Sequence, residues 1–230
     1  MVGFSPLELE ALELSLRVAV WSVLVSLPLA LATAWLLARR EFPGKILFNG
    51  LVHLPLVLPP VVVGYLLLIV LGRGGPLGRW LYEWFGVQLP FTWQGAALAA
   101  AVMAFPLVVR AMRLSLEAVD QRLEAAARTL GAGRLDVFAS VTLPLMAPGI
   151  MVGALLGFAR SLGEFGATIV FAANIPGETR TLPLALYSVA QTPDGEGPAL
   201  RLALISVVLS LGALAASEIL ARRLRAQLAT

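Results

Sequence analysis

The sequence predicts an all-α membrane protein with about five transmembrane helices, its N-terminus outside and its C-terminus in the cytoplasm. Three observations carry this. Of 230 residues, 59% are hydrophobic and 13% charged, and the mean hydropathy is +0.86; the charged share is about half that of an ordinary soluble domain. Five apolar stretches recur along the chain, most of them long enough to cross a hydrocarbon core of about 30 Å. The basic residues fall between those stretches with a consistent sidedness. A soluble fold could not hide so much apolar surface, so the bilayer is the expected solvent.

The elements follow in order. The first span, residues 18–37 (VAVWSVLVSLPLALATAWLL), carries no charge. No basic segment or cleavage site precedes it, so it reads as a permanent span and not a removable signal peptide. The second, residues 51–71, contains Pro55, Pro59 and Pro60, which must bend or break its start. His53 lies at its inner beginning. The third, residues 95–109, is rich in small residues that favour close helix packing, and Trp80, Trp84 and Trp93 before it suit an outer interfacial belt. The fourth, residues 149–173, is long enough for one helix but holds Arg160 and Glu164 one turn apart. NIPGETRTLPLALY (174–187) is too polar to span and reads as an outside hairpin or short helix. Residues 202–220 form the fifth span.

Arg39, Arg40 and Lys45 follow span one; Arg110, Arg113, Arg122, Arg128 and Arg134 follow span three; Arg222, Arg223 and Arg225 follow span five. With five spans these regions share a side, and they hold 11 of the 17 basic residues. That side is the cytoplasm. The whole chain, 1–230, reads as one transmembrane domain with a cytoplasmic loop at 110–147.

That loop is oddly charged for so apolar a chain. Leu116, Val119, Leu123, Ala127 and Leu130 share one helix face, with Glu117, Asp120, Glu124 and Arg128 on another. Gly131 and Gly133 stop this helix, and RLDVFASVT restarts a shorter one that Pro144 ends. The pattern fits either an amphipathic loop resting on lipid or a knob that docks into a soluble partner.

The residues of the loop resemble the cytoplasmic EAA loop of ATP-binding-cassette importer permeases: Glu-Ala-Ala, a glycine shortly after, then Ile-x-Leu-Pro. Ala126, Ala127, Gly131, Val141, Leu143 and Pro144 fall in register. The family's glutamate falls at Ala125, while the acid here is one residue earlier, Glu124. In the family this loop fits a groove in the ATPase subunit and carries its closing motion to the spans. The resemblance therefore implies coupling to an ATPase through Glu124, Ala125, Ala126, Ala127, Gly131, Leu143 and Pro144. EFPGKILFNGLVHLPLVLPPVVVGYLLL and ARSLGEFGATIVFAANIPGETRTLPLALY extend the likeness across about residues 10–225, toward the permeases of bacterial molybdate importers, with sulfate-importer permeases as near relatives. That likeness implies a homodimeric pore in the bacterial inner membrane, two ATPase subunits beneath it, and a periplasmic binding protein delivering the oxyanion.

Several chemistries are not expected. The chain has no cysteine and one histidine, so neither a disulfide framework nor a thiolate metal site can form, and no metal or other cofactor is anticipated. The basic residues are not gathered into a stripe for nucleic acid. The single lysine, Lys45, follows Gly44 but lacks the rest of a phosphate-binding loop: Arg39 stands for the first glycine and Ile46 follows. ATP hydrolysis thus belongs to another polypeptide, and the chain itself is not an enzyme. Arg160 and Glu164 are candidates for the translocation pathway or for a structural intramembrane pair, because a charge near the bilayer centre usually faces protein or water. Pro59, Pro60 and His53 are candidates for a bent pore-lining segment, although a packing role suits His53. A secondary transporter would need coupling-ion sites and usually repeated halves, and neither is evident. A scaffold without transport would leave Arg160 and Glu164 unexplained. Molybdate, tungstate and sulfate are not distinguished by the residues.

Overall fold

The computed structural model describes residues 4–228, with side chains for residues 4–216 and 219. Every regular element among them is helical. Four helical segments are long and apolar enough to cross a membrane, and a sharply bent pair supplies a fifth. The side chains of Arg222, Arg223 and Arg225 lie outside the described part.

Helix α1 (Pro6–Arg39) starts in a capping box. Ser5 N–H donates to Glu8 Oε2 at 2.7 Å, and Ser5 Oγ accepts from Glu8 N–H at 3.3 Å. Its 34 residues span about 51 Å, well beyond the expected 18–37. Ala11, Val18, Ser22, Ala30, Ala34 and Leu37 form one buried stripe. Helices α2 (Lys45–Val57) and α3 (Pro60–Leu71) are the second span, broken in its middle by a 117° bend. Leu58 is extended, as a residue before proline prefers, and Pro59–Pro60 can donate no backbone hydrogen bonds across the junction. The break therefore falls later than the start of the span. Helix α4 (Pro76–Phe85) leaves Trp80 and Trp84 exposed.

Helix α5 (Trp93–Glu117) packs along α1, with the Trp21 and Trp93 rings 6.2 Å apart at one end and Leu37 and Leu116 sharing a core at the other. It ends at Glu117. The expected continuous amphipathic helix is instead interrupted at residues 118–120, and Asp120 caps a new one, α6 (Gln121–Thr129). Leu116 and Val119 are consequently core residues, whereas Leu123 and Leu130 are exposed. Helix α7 (Arg134–Val137) passes through a π turn at Phe138–Thr142 straight into α8 (Leu143–Leu162). Pro144 does not end the helix. It sits in the first turn of α8, and Leu143 N–H reaches back five residues to Phe138 O. The wider π turn accommodates the proline ring that would otherwise press on the carbonyl four residues back.

Gly149, Gly153 and Gly157 lay one face of α8 on α5. A Cβ at Gly149 would collide with Ser115 Cβ and lie 2.5 Å from its Oγ, and at Gly157 it would lie 2.8 Å from Val108 Cγ2. Small residues at i, i+4 spacing let backbones approach where water gives no hydrophobic drive. The small-residue faces of α5 and α8 thus meet each other within one chain. The fourth span is also not one helix to residue 173: it breaks at 163–165 and resumes as α9 (Gly166–Phe171). Helix α10 (Leu182–Ala190) follows the polar 174–181 segment, so the short helix expected within 174–187 begins only at 182 and runs past 187. Helix α11 (Glu196–Leu228) returns beside α1, joined by Arg201–Glu8 at 3.0 Å and by Ala11, Leu182, Ala185 and Leu202.

Candidate functional site

Two regions carry the sequence candidates. The first is the charged loop. Helix α6 has no buried residue, and Ala125 and Ala126 are exposed with Ala127 half-buried. Leu130 is 89% exposed and Leu135 82%. Unshielded leucines on an otherwise polar knob mark a surface that expects cover. Gly131 links α6 to α7 with φ +90°, and a Cβ there would meet nothing within 4 Å. Its glycine is needed for the left-handed backbone and not for space. Leu143 and Pro144 lie where the π turn passes into α8, on the route from the loop into the bundle.

Glu124 is placed differently from its neighbours. Its Oε1 accepts from Arg39 at 2.9 Å and from the Thr142 hydroxyl at 2.9 Å, and Arg128 lies 3.7 Å from Oε2. Both the Glu124 and Arg39 side chains are only 12% exposed. Moving an acid one residue along an α-helix rotates it by about 100°. The one-residue offset from the family pattern therefore turns this carboxylate inward, toward α1 and the π turn. Sequence reasoning used Arg39 to orient the chain and to reject a phosphate-binding loop, and it missed Thr142; the register of Thr142 in the Val-Thr-Leu-Pro run marks the position but not its partner.

The second region is the pair of membrane breaks, which the tertiary fold brings together. Gly166, opening α9, faces Pro60: a Cβ there would lie 2.7 Å from Pro60 Cβ. One turn on, Gly64 of α3 presses on the Ala167 backbone, where a Cβ would lie 2.6 Å from the carbonyl oxygen. Arg160 and Glu164 bridge the α8–α9 break at 2.6 Å, so the pairing suggested by their spacing forms even though the helix does not run through it. The Glu164 side chain is 2% exposed and Arg160 27%. Glu164 Oε1 also accepts from Ala167 N–H at 2.8 Å, tying the severed helix start to the pair. Pro59 and Pro60 stand at the same junction. His53 does not join it: its Nδ1 lies 2.9 Å from Asn49 O in its own helix, the arrangement of a satisfied packing residue. Among the described residues no cluster of His, Asp or Glu has metal-binding geometry.

A family profile described as the inner membrane component of binding-protein-dependent transport systems matches residues 26–226. The chain is 59% identical over 222 residues to the molybdenum transport system permease protein ModB of Haemophilus influenzae, covering 96% of this chain and 97% of that one. It is 39% identical over 201 residues to the sulfate transport system permease protein CysW of Synechocystis, covering 86% of this chain and 72% of that one. Among solved structures, a bacterial transporter importing the polysaccharide alginate superposes with a TM-score of 0.73 at 17% identity, covering 96% of this chain and 80% of that one. That last likeness concerns the fold.

Proposed function

The chain belongs to the family of binding-protein-dependent transport system inner membrane components, and on that premise we propose that it is the permease subunit of an ATP-driven importer of molybdate or the related dianion tungstate. The observation that carries the substrate class is the 59% identity to a molybdenum permease along nearly the full length of both chains. The sulfate permease is more distant, at 39%, so sulfate import is the second reading.

In this reading two ATPase subunits dock beneath the exposed face of α6 and its neighbouring Leu130 and Leu135, Gly131 shapes the turn they meet, and hydrolysis is theirs. A periplasmic binding protein delivers the oxyanion at the opposite end. The anion passes the junction where α3 and α9 begin. Arg160 attracts it, and Glu164 weakens that attraction enough for release. Two copies enclose the path. The partial exposure of Arg160 supports this, because a charged residue left against lipid near the bilayer centre costs about 2.5–3.5 kcal/mol, and a second copy would cover it.

The test is affinity purification of the permease from membranes, followed by uptake into vesicles with molybdate, tungstate and sulfate in competition. The expected outcome is co-purified ATPase, ATP-dependent uptake, and strong competition by molybdate and tungstate. Uptake driven by an ion gradient without ATPase would refute the importer reading, and preferential competition by sulfate would replace the substrate. Membrane crosslinking that yields only monomer with uptake intact would remove the two-copy pore.

A further inference from the structure

Helix α6 is weakly held. None of its residues is buried. Among the described residues, its side-chain hydrogen bonds and ion pairs to other helical segments all run through Glu124. One carboxylate oxygen joins three pieces of chain: α6 itself, the last residue of α1 (Arg39), and the π turn that leads into α8 (Thr142). Arg39 continues a helix whose Ala30, Ala34 and Leu37 lie in one core with Val108, Val109, Met112 and Leu116 of α5 and Met146 of α8. Farther along, Ser22 Oγ donates to Ser161 Oγ at 2.7 Å, one residue from Arg160. A displacement of α6 is thus delivered to the bundle at the end of α1, in parallel with the covalent paths through residues 118–120 into α5 and through α7 and the π turn into α8.

We propose that Glu124 is a positioning residue that clasps α6 to Arg39 and Thr142, so that movement of the loop reaches α1 directly instead of passing only through the Gly131 turn. The inference rests on the importer reading for its functional meaning, and it assigns Glu124 away from the ATPase-facing surface. A carboxylate with two charge-assisted or hydroxyl donors on one oxygen, largely shielded from water, forms a stronger tether than an exposed pair.

The test uses the permease with its ATPase subunits in vesicles and compares wild type, Glu124→Gln, and the reversed pair Arg39→Glu with Glu124→Arg. Glu124→Gln should keep its ATPase subunits but raise ATP consumed per anion by about fivefold or more, the low end of typical coupling. Amide hydrogen exchange of residues 121–129 should become about tenfold faster. The reversed pair should pull both readouts back toward wild type, which a general folding defect would not do. Loss of ATPase subunits at an unchanged ATP-to-anion ratio would make Glu124 a docking contact and overturn the clasp. So would unchanged exchange in α6, or an unchanged ratio. If wild type imports none of the three oxyanions, the importer reading falls, and the exchange measurement still decides the clasp.

Discussion

Replacement of Gly131 separates two ways in which the loop could depend on a glycine. At φ +90° the backbone lies in the left-handed region, where a Cβ costs about 1–2 kcal/mol. No atom lies within 4 Å of where that Cβ would sit, so no steric term within the chain adds to the strain. At about 1.4 kcal/mol per tenfold change, alanine should reduce the population of the native turn by about 5- to 30-fold relative to competing turns. Asparagine tolerates the left-handed region far better, so Gly131→Asn should relieve most of this strain while adding bulk. Valine is β-branched and suffers most. The assay is ATPase subunit retention on affinity-purified permease, with oxyanion uptake in vesicles and thermal unfolding alongside. Gly131→Val should leave the bundle's unfolding temperature nearly unchanged, weaken ATPase retention and abolish uptake. Gly131→Ala should fall between Val and wild type. If Asn is as damaging as Val, the space outside the turn matters more than its backbone, as a closely fitting groove requires. If Val retains both ATPase and uptake at normal levels, the turn has no part in coupling and the reasoning fails.

Arg160→Ala should destabilise the solubilised protein by about 3 kcal/mol or somewhat less, because it strands the buried Glu164. Arg79→Ala, whose 73% exposed side chain faces Glu83, should shift unfolding by at most about 1 kcal/mol; equal shifts in thermal melts would contradict the burial argument. Gly149→Ala should cost about 1–3 kcal/mol, since its Cβ meets Ser115. Gly163→Ala, with nothing within 4 Å, should be close to neutral, and a denaturation series that ranks the two the other way would refute the α5–α8 packing. Ser22→Ala should weaken the bundle by about 1–3 kcal/mol because it strands the buried Ser161 hydroxyl, Ser161→Ala should cost less because Ser22 Oγ still donates to Ala19 O at 2.8 Å, and the two together should cost less than their sum. Full additivity in a double-mutant cycle would show that the two serines act independently.

Composition, hydropathy and the sidedness of arginine are local and additive properties, and they determined from the sequence alone the all-helical membrane class and about five spans. Backbone rules acting within a few residues were equally legible: prolines at 59 and 60 disrupting the second span, and glycine at 131 taking a left-handed turn. The interruption at 118–120 was not legible, because the apolar spacing runs through it; burial of Leu116 and Val119 against α1 and α8 decides where α5 stops. Pro144 read as a helix end because its lost hydrogen bond is a local fact, whereas the π turn that absorbs it is a property of the longer helix. The break at 163–165 needed the third dimension too. Arg160 and Glu164 have helical spacing whether or not a helix joins them, and only the approach of Pro60 and Gly64 to Gly166 and Ala167 marks where α9 must begin. The inward turn of Glu124 belongs to the same class. A carboxylate's partner 85 residues away leaves no periodic trace in a sequence, and which side of α6 it occupies depends on where the end of α1 is packed.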